Sequence, residues 1–381
     1  MTSDVIEKDP LIGDVAHTSI KEWCDSDYSD KKGAETVVKD YHNYTRRKWL
    51  FIVICIFAAF ITAGYALTVG DFDIGFFESY EILWQHITSN IVNTKYDYII
   101  TEYRLPRIVV GLIAGAGLAV AGATMQSLLK NPLADPYTTG VSSGAGFGAS
   151  LAIVMGATVV SGQYSIVINA FIFSLIPTFV IILVSKIKNA SPTVMIMAGI
   201  AVMYIFNALT TVIKLWADPN GLAAVFRWQV GTLSGASWSE VPIMLVITVA
   251  GYIVLQFLSK KLNVLSTGDE SAKSLGIDVE RLRIICLVTV ALVTAAIVAF
   301  TGLIGFVGLV APHIVRIFIG SDNRYLLPAS AIFGAALLVI ADLVGRTIIA
   351  PTVLQVGVIT AFIGGPLFLW LIMKKDSKVW G

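Results

Sequence analysis

The chain has 381 residues, of which 56% are hydrophobic and 14% are charged, and its formal net charge is +1. Soluble domains carry about a quarter charged residues, so this composition excludes an ordinary soluble globular protein. Charged residues are concentrated in residues 1–48, and most of the remainder consists of long apolar runs. The sequence therefore predicts a polytopic membrane protein with a polar N-terminal segment.

The N-terminal segment, residues 1–45, mixes acidic side chains with serine, threonine and glycine. Its apolar residues show no sustained helical period, so we expect it to be disordered and cytoplasmic. A small regulatory or partner-binding element is the alternative. Residues 46–381 then form the transmembrane domain.

Ten apolar stretches follow, and most are long enough to cross about 30 Å of hydrocarbon. They lie at about 49–69, 105–129, 138–160, 164–185, 192–215, 239–259, 282–301, 304–319, 327–346 and 352–373. The stretch at 304–319 is short and contains Pro312, so we expect it to be irregular or tilted. The predicted fold class is an all-α polytopic membrane protein with about ten transmembrane helices per subunit.

The basic residues predict the orientation, because lysine and arginine accumulate in cytoplasmic loops. With the N-terminus inside, most basic residues that lie between or beside the spans fall on the inner side. The outer side keeps Lys95, Arg104, Arg107, Lys214, Arg227 and Arg346. Both termini are therefore predicted to be cytoplasmic.

The stretch from Arg104 to Ala149 contains glycine-rich helices on either side of a short loop. Gly111, Gly115 and Gly122 share one helix face, and small residues let helix backbones approach closely in lipid. The loop at 131–136 contains Asn-Pro and Asp-Pro pairs, and a residue before proline avoids helical geometry. Both a sharp turn and a constriction at the cytoplasmic end of a pathway fit this pattern.

Ionisable residues within the spans are few. Asp342 and Arg346 are four residues apart near the outer end of one helix, so they can pair. Ion-coupled carriers usually place carboxylates at mid-membrane, and the sequence shows no clear example, which argues against secondary transport. The three cysteines lack metal-ligand spacing, so we expect no metal site.

The longest inner loop, residues 260–283, has helix signals of its own. Ser266 or Thr267 can cap a short helix whose first turn holds Asp269 and Glu270, and Gly276 can end it. Its apolar side is formed by Leu265, Ala272 and Leu275. An intramolecular lid and docking onto a cytoplasmic subunit both fit, and we favour docking.

The sequence contains no Gly-x-x-x-x-Gly-Lys-Ser/Thr phosphate-binding pattern. Any ATP must then be handled by another polypeptide. We expect this chain to perform no catalysis and to bind no cofactor itself.

Together these segments resemble the permeases of type II ATP-binding-cassette importers, the group that carries iron–siderophore, haem and cobalamin. The matching residues are, in order, Arg104-Leu105-Pro106-Arg107, Asn131-Pro132-Leu133-Ala134-x-Pro136, Gly140-x-Ser142-Ser143-Gly144-Ala145, Ala272-x-x-Leu275-Gly276, Pro312-His313-x-x-Arg316, Asp342-x-x-x-Arg346 and Gly357-x-x-Thr360-Ala361. The resemblance covers about 50–373. Gln355 departs from it, because the family usually has proline there.

The resemblance implies a homodimer in the cell (cytoplasmic) membrane, with two cytoplasmic ABC ATPase subunits inside, an extracytoplasmic solute-binding protein outside and no nucleic acid. It also implies site residues. Binding-protein docking is assigned to Arg104, Arg107 and Arg346. The gate is assigned to Asn131, Leu133, Ser191 and Thr193. ATPase coupling is assigned to Glu270, Ala272, Leu275 and Gly276.

The predicted function is therefore that of a permease subunit that imports an iron–siderophore or a related metal chelate by alternating access. Cobalamin and haem are the alternatives within the family, and no residue in the sequence chooses among these chelates. An ion-coupled secondary carrier and a membrane receptor or scaffold are the alternatives from other classes.

Overall fold

The computed structural model describes residues 31–70, 72, 74–187 and 191–373. Within these ranges the chain is helical or forms short connections, and it has no β-strand. The chain divides after Leu50 into two units. The packing described below concerns residues 51–373.

The helices follow one another with short connections. In chain order they are α1 (Lys31–Ala66), α2 (Phe76–Ile87), α3 (Thr94–Tyr98), α4 (Leu105–Leu129), α5 (Val141–Met155), α6 (Ser165–Ile187), α7 (Pro192–Leu215), α8 (Pro219–Val230), α9 (Val241–Thr267), α10 (Asp269–Ser274), α11 (Val279–Thr301), α12 (Val307–Ile319), α13 (Asn323–Thr347) and α14 (Val356–Met373). A π-helical segment, Ile99–Arg104, joins α3 to α4, and a 3₁₀ turn, Pro136–Thr139, precedes α5.

Ten apolar helices of the described residues correspond to the ten predicted spans. Seven are long and apolar enough to cross a membrane, and Val141–Met155, Val307–Ile319 and Val356–Trp370 are shorter. The predicted all-α polytopic fold is confirmed. The expected irregularity near 304–319 is also present, because α12 contains Pro312 and begins after Phe306, whose φ of 67° is left-handed.

The N-terminal segment differs in part from the expectation. Helix α1 begins at Lys31, inside the segment 1–45 for which we expected disorder. Residues 1–30 lie outside the described residues. The apolar part of α1, Thr45–Ala66, is the first candidate span.

Helix α4 is the centre of the bundle. The most apolar part of Thr94–Leu129 is 83% buried, whereas the corresponding parts of α6, α7 and α9 are between 28% and 33% buried. A Cβ added at Gly115 would lie 2.8 Å from the carbonyl carbon of Gly334 in α13. A Cβ at Gly122 would lie 2.7 Å from the Cα of Gly308 in α12. The predicted role of these glycines in close helix packing is thus borne out for Gly115 and Gly122.

Two ends of the bundle are named here from the charge-based orientation. The outer end carries Arg104, Arg107 and Arg346, and the inner end carries the loop after α4 and helix α10. Helix α4 connects the ends, and its 25 residues span about 37 Å at 1.5 Å per residue. A single buried helix therefore connects the two ends of the bundle.

Candidate docking, gate and coupling sites

The three arginines predicted for docking lie around one outer cavity. Arg104, Arg107 and Arg346 all line this cavity of about 1230 Å³. Its wall also includes Lys95 and residues of the loops after α1 and α13. The structure therefore brings the three predicted residues together at one end of α4.

Arg104 is a buried part of the cavity wall, with only 5% of its surface exposed. Its Nη1 donates hydrogen bonds to the carbonyl oxygens of Leu67 at 2.6 Å and Thr68 at 3.0 Å, and its Nη2 donates to Phe72 at 2.6 Å. A guanidinium has five donors in a fixed fork, so one side chain can hold several carbonyls. Arg104 thus fixes the loop that follows α1, a role that the sequence did not indicate.

The Arg104 side chain also explains a glycine in the loop that it holds. A Cβ at Gly70 would lie 2.9 Å from the Arg104 Nη2. The loop must therefore pass close to the guanidinium without a side chain at this position.

Asp342 joins the other two arginines. The Arg107 Nη2 lies 2.8 Å from the Asp342 Oδ1, and the Arg107 Nε lies 3.0 Å from Oδ2. The Arg346 Nε lies 3.1 Å from the Asp342 Oδ2, which confirms the predicted pairing of Asp342 with Arg346. Arg346 Nη1 also donates to the carbonyls of Ala66 and Val69. The triad binds α4, α13 and the end of α1 together.

The docking role of the arginines stays a prediction, because their charges already have partners within the chain. Arg107 is the most exposed of the three side chains in the cavity wall, and its exposed fraction is 15%. Lys95, by contrast, is exposed and sits over the ring of Phe72, with its Nζ 4.6 Å from the ring centroid. Lys95, which the charge pattern places on the outer side, is not among the residues predicted for docking.

Gln355 occupies the outer turn before α14. Its Nε2 donates to the carbonyl oxygen of Arg227, which belongs to α8, at 3.4 Å. The side chain thus makes a connection between α8 and this turn that proline could not make.

The inner loop after α4 has a defined shape, as predicted from its prolines. Lys130 ends α4 in the left-handed conformation with a φ of 50° and a ψ of 38°. The Asn131 Oδ1 accepts a hydrogen bond from the backbone N–H of Leu133 at 2.9 Å, and the Asn131 carbonyl accepts one from Ala134. Leu133 is 43% exposed. Asn131 therefore presents Leu133 on the surface of a hydrogen-bonded turn.

The second predicted gate segment begins α7. Ser191 is the N-cap, and its Oγ accepts from the N–H of Val194 at 3.3 Å. Thr193 is exposed. Ala134 and Met195, which flank the two gate segments, belong to the same buried apolar cluster at the inner end. The gate function of Asn131, Leu133, Ser191 and Thr193 stays a prediction.

The predicted short helix in the loop 260–283 is present as α10. Asp269 and Glu270 lie in its first turn, as expected, and Gly276 follows its end with a φ of 79°. The predicted cap is wrong, however, because α9 continues through Ser266 and Thr267 and the N-cap is Gly268. The hydroxyls of Ser266 and Thr267 instead donate to carbonyls of their own helix.

The apolar residues of α10 divide between the interior and the surface. Ala272 is fully buried in the inner apolar cluster together with Leu265. Leu275, at the C-cap, is 70% exposed, and Glu270 is exposed as well. Ala272 thus anchors the helix to the bundle, while Leu275 and Glu270 are exposed on a surface that a partner protein can contact.

Asp269 has two cationic partners from different helices. Lys130 Nζ lies 2.8 Å from its Oδ1, and Arg283 Nη2, from α11, lies 2.9 Å from its Oδ2. Burial alone would raise the pKa of the Asp269 carboxyl, but the hydrogen bonds and charges of Lys130 and Arg283 hold that pKa below its usual value. Asp269 therefore stays ionised at neutral pH.

The described residues contain no group of three or more histidine, cysteine, aspartate or glutamate side chains that could hold a metal ion. The outer cavity, the inner turn and helix α10 offer ion pairs and apolar contacts. Such contacts suit the docking of a partner protein.

Comparison with known proteins gives a consistent result. The profile of the FecCD transport family matches residues 51–374. The chain is 43% identical to an ABC transporter permease protein, MJ0087, of Methanocaldococcus jannaschii over 90% of this chain and 99% of that protein. It is 41% identical to the cobalamin import system permease protein BtuC of Halobacterium salinarum, over 74% of each chain.

Two further matches extend this result. The hemin transport system permease protein HmuU of Yersinia pestis is 37% identical over 79% of this chain and 89% of that protein. A solved structure described as an inward-facing conformation of a metal-chelate type ABC transporter aligns with a TM-score of 0.75 at 28% identity. That alignment covers 85% of this chain and 98% of the other.

Proposed function

This chain belongs to the FecCD transport family, and from that premise we propose that it forms the membrane pathway for a ferric chelate. The chain is a multi-pass permease of the cytoplasmic membrane, of the kind that ATP-binding-cassette importers use. The proposal adds a substrate class, a homodimeric assembly and a division of labour among the site residues.

The substrate class is supported by the relatives. Similar permeases are named for Fe(3+)-citrate import, hemin transport and cobalamin import. These substrates share a metal ion that is held by an organic ligand. A ferric chelate is our first choice because two Bacillus subtilis relatives are named for Fe(3+)-citrate. Cobalamin or haem is the second candidate.

Energy for transport comes from separate ATPase subunits in this proposal. The exposed Leu275 and Glu270 on α10 offer an apolar and an acidic contact at the predicted cytoplasmic surface. Two ATPase subunits would dock there, one on each copy of the chain.

A solute-binding protein would deliver the chelate at the outer cavity. Arg104 and the Arg107–Asp342–Arg346 triad form a wall with an excess of positive charge, and Lys95 stands at its exposed edge. Charges at the rim of an interface mainly set the rate and the register of encounter. Acidic residues on the binding protein are the matching chemistry.

The gate lies at the inner end in this proposal. Leu133 on its hydrogen-bonded turn and Thr193 at the start of α7 would line the exit between two copies of the chain. Alternating access then requires that the turn at 131–136 moves when the ATPase subunits close.

The domain division accompanies this assignment. In this proposal residues 46–381 make up the permease domain, with 260–283 as its coupling loop. We assign no role to residues 1–45, although helix α1 begins at Lys31 and continues across this boundary. Deletion of residues 1–40 should leave transport intact, and a large loss of uptake would contradict this division.

The observation that carries the proposal is the ordered combination of outer arginines, inner turn and exposed coupling helix on a chain whose residues 51–374 match one family. The test is to purify the chain from its native membrane and identify what accompanies it. Recovery of an ABC ATPase at one copy per chain would support the proposal. Recovery of the chain alone, with uptake driven by an ion gradient, would support a secondary carrier instead.

The substrate is tested separately with the soluble partner. The cognate solute-binding protein should bind ferric citrate or another ferric chelate more tightly than cyanocobalamin or haemin. Tighter binding of cyanocobalamin or haemin than of the ferric chelates would favour cobalamin or haem as the substrate. No binding of any chelate, together with a signalling phenotype, would favour a receptor.

A further inference from the structure

Among the connections of helix α10 to the bundle, two differ in kind. One is a glycine joint to α9, and the other is an ion pair to the end of α4. These two connections can carry a movement of α10 to the gate turn at 131–136. This inference rests on the proposed function.

The end of α9 is fixed by a chain of neutral hydrogen bonds. The Asn263 Oδ1, from α9, accepts from the backbone N–H and the side-chain Nδ2 of Asn323 at 2.8 and 2.9 Å. The Asn323 Oδ1 in turn accepts from the Ser127 hydroxyl of α4 at 2.9 Å. Asn323 and Ser127 are buried. Buried and satisfied networks of this kind rigidify the groups that they connect, so α9, α13 and α4 form one frame here.

Gly268 separates this frame from α10. Its φ of 143° and ψ of 151° lie outside the helical region, and helix α10 starts at the next residue. Because L side chains rarely adopt this φ, glycine is required at this joint. The helical path is broken at this joint, so α10 is a separate helix and not a continuation of α9.

The ion pair of Lys130 with Asp269 is the polar link from α10 to α4. The side chains are about one-third exposed, at 30% for Lys130 and 33% for Asp269, and Nζ lies 2.8 Å from Oδ1. The Arg283 Nη2 of α11 lies 2.9 Å from both oxygens of the same carboxylate. Since solvent can reach the pair, it can be broken and remade without burying an unpaired charge.

Lys130 itself is an unusual residue for its backbone conformation. It is one of the few non-glycine residues with a positive φ in the described part of the chain. Glycine is the usual residue at a left-handed helix end. The presence of lysine at this strained position, directly before the turn of Asn131 and Leu133, indicates that its side chain contributes something that glycine would not.

We propose that the Lys130–Asp269 ion pair transmits the movement of α10 to the gate turn at 131–136. When an ATPase displaces α10 about Gly268, Asp269 pulls on the residue that begins the turn. The frame of Asn263, Asn323 and Ser127 holds the rest of α4 in place, so the displacement is concentrated in the turn. Lys130 and Asp269 are positioning residues in this scheme, and neither contacts the substrate.

The experiment follows Leu133 as a reporter in the assembled complex with its ATPase in lipid nanodiscs. The three native cysteines are replaced by alanine and Leu133→Cys is introduced. The rate of maleimide labelling is then measured without nucleotide and with ATP and vanadate. When Lys130 is unmodified, addition of ATP and vanadate should change the rate of labelling at position 133.

Three variants at position 130 separate charge from backbone strain. Lys130→Met removes the charge, Lys130→Gly removes the charge and relieves the left-handed strain, and Lys130→Arg keeps the charge. The first two should shrink the nucleotide-dependent change roughly two- to fivefold, as expected for a partly exposed ion pair. Lys130→Arg should preserve it. If Lys130→Met does not assemble, Lys130→Gly carries the test, because glycine accepts the backbone conformation.

Arg324→Met is the matched control. Arg324 also forms an ion pair at the inner end, with Asp322, but its partner is not on α10. This variant should keep the full change in labelling. A full change in Lys130→Met or Lys130→Gly, with ATP hydrolysis intact, would overturn the proposed link while leaving the importer function standing. No nucleotide-dependent change with Lys130 in place would also overturn the link, whereas the importer function is overturned only if ATP-driven uptake is absent as well.

Discussion

The Arg107 guanidinium and the Asp342 carboxylate form a two-point ion pair that joins α4 to α13, with Nη2 2.8 Å from Oδ1 and Nε 3.0 Å from Oδ2. The same carboxylate meets Arg346 from its own helix at 3.1 Å. One buried anion therefore pairs with two cations in the wall of the outer cavity, and the wall keeps an excess of positive charge. The outer end of the bundle depends on these ion pairs.

Replacement of Asp342 by asparagine should destabilise the protein strongly. The Asp342 side chain is 3% exposed, and its loss of charge leaves Arg107 and Arg346 buried without a counter-ion. Breaking a buried pair in this way typically costs about 3–5 kcal/mol. Thermal unfolding in detergent measures the loss. The control is Asp218→Asn, because Asp218 caps α8 and asparagine is an equally good N-cap. Similar stabilities of the two variants would contradict the role of Asp342.

Lys95→Glu should slow association of the solute-binding protein more than Lys95→Met does. Lys95 is exposed at the edge of the outer cavity, where a rim charge steers an acidic partner. The difference should diminish at high salt, since the Debye length falls from about 10 Å at 0.1 M to about 3 Å at 1 M. Surface plasmon resonance at several salt concentrations gives the rates. Equal association rates for Lys95→Glu and the unmodified chain would exclude Lys95 from docking.

Arg104→Met should act differently from the Lys95 variants. The Arg104 guanidinium holds carbonyls of Leu67, Thr68 and Phe72, so its loss should loosen the loop after α1 before it affects any partner. Hydrogen exchange of residues 67–72 should increase. If exchange in this loop stays unchanged and only docking weakens, Arg104 serves the partner directly.

Gly122→Ala should lower the melting temperature clearly. The added Cβ would lie 2.7 Å from the Cα of Gly308, so the two helix backbones must separate. Overpacking of a core usually costs about 1–3 kcal/mol. Gly365→Ala is the matched control, because nothing lies within 4 Å of a Cβ at Gly365. A Gly122→Ala protein as stable as Gly365→Ala would show that α4 and α12 can move apart freely.

Substitutions at Leu275 and Ala272 separate the exposed and the buried part of the apolar side of α10. Leu275→Asp should weaken binding of the ATPase and leave thermal stability unchanged, because Leu275 is 70% exposed. Ala272→Asp should reduce both, since Ala272 is fully buried in the apolar cluster. Co-purification measures binding of the ATPase, and thermal unfolding measures stability. Unimpaired ATPase binding in Leu275→Asp would remove Leu275 from the coupling surface.

The Lys130–Asp269 pair should be insensitive to pH over the physiological range. The pKa of Asp269 is lowered in the folded protein. Its contribution is therefore complete above the ordinary carboxyl pKa of about 3.9 and is lost as pH falls through the lower, folded value. A double-mutant cycle with Lys130→Met and Asp269→Asn should give a coupling energy of about 0.2–1 kcal/mol for the two side chains. This coupling energy should stay the same at pH values between about 5 and 8. A coupling energy that disappears by about pH 5 would contradict the lowered pKa.

Local patterns in the sequence predicted most of the bundle. Long apolar runs marked the ten spans, and their alternation with turns placed α4, α6, α7 and α13 close to their observed bounds. The cap of α10 was misassigned because α9 continues through Ser266 and Thr267 by burying Leu265. Packing of that leucine outweighs the preference of serine and threonine for a cap position.

The contacts that define the sites were less accessible to sequence reasoning. The Asp342–Arg346 pair was predicted because both residues lie on one helix, four residues apart. Arg107 with Asp342 and Lys130 with Asp269 join residues far apart in the chain, and spacing carries no information about such pairs. The π-helical turn at Ile99–Arg104, which directs Arg104 toward the loop after α1, also has no local signal in the sequence.

The central claim is that ATP hydrolysis by a partner drives a ferric chelate through this permease. The most direct measurement is uptake of radiolabelled ferric citrate into proteoliposomes that contain the permease, its ATPase and internal ATP, with the solute-binding protein outside. The account predicts accumulation against a gradient that disappears when the ATPase carries a hydrolysis-blocking substitution. Accumulation that persists with the blocked ATPase and follows an imposed proton or sodium gradient would contradict it.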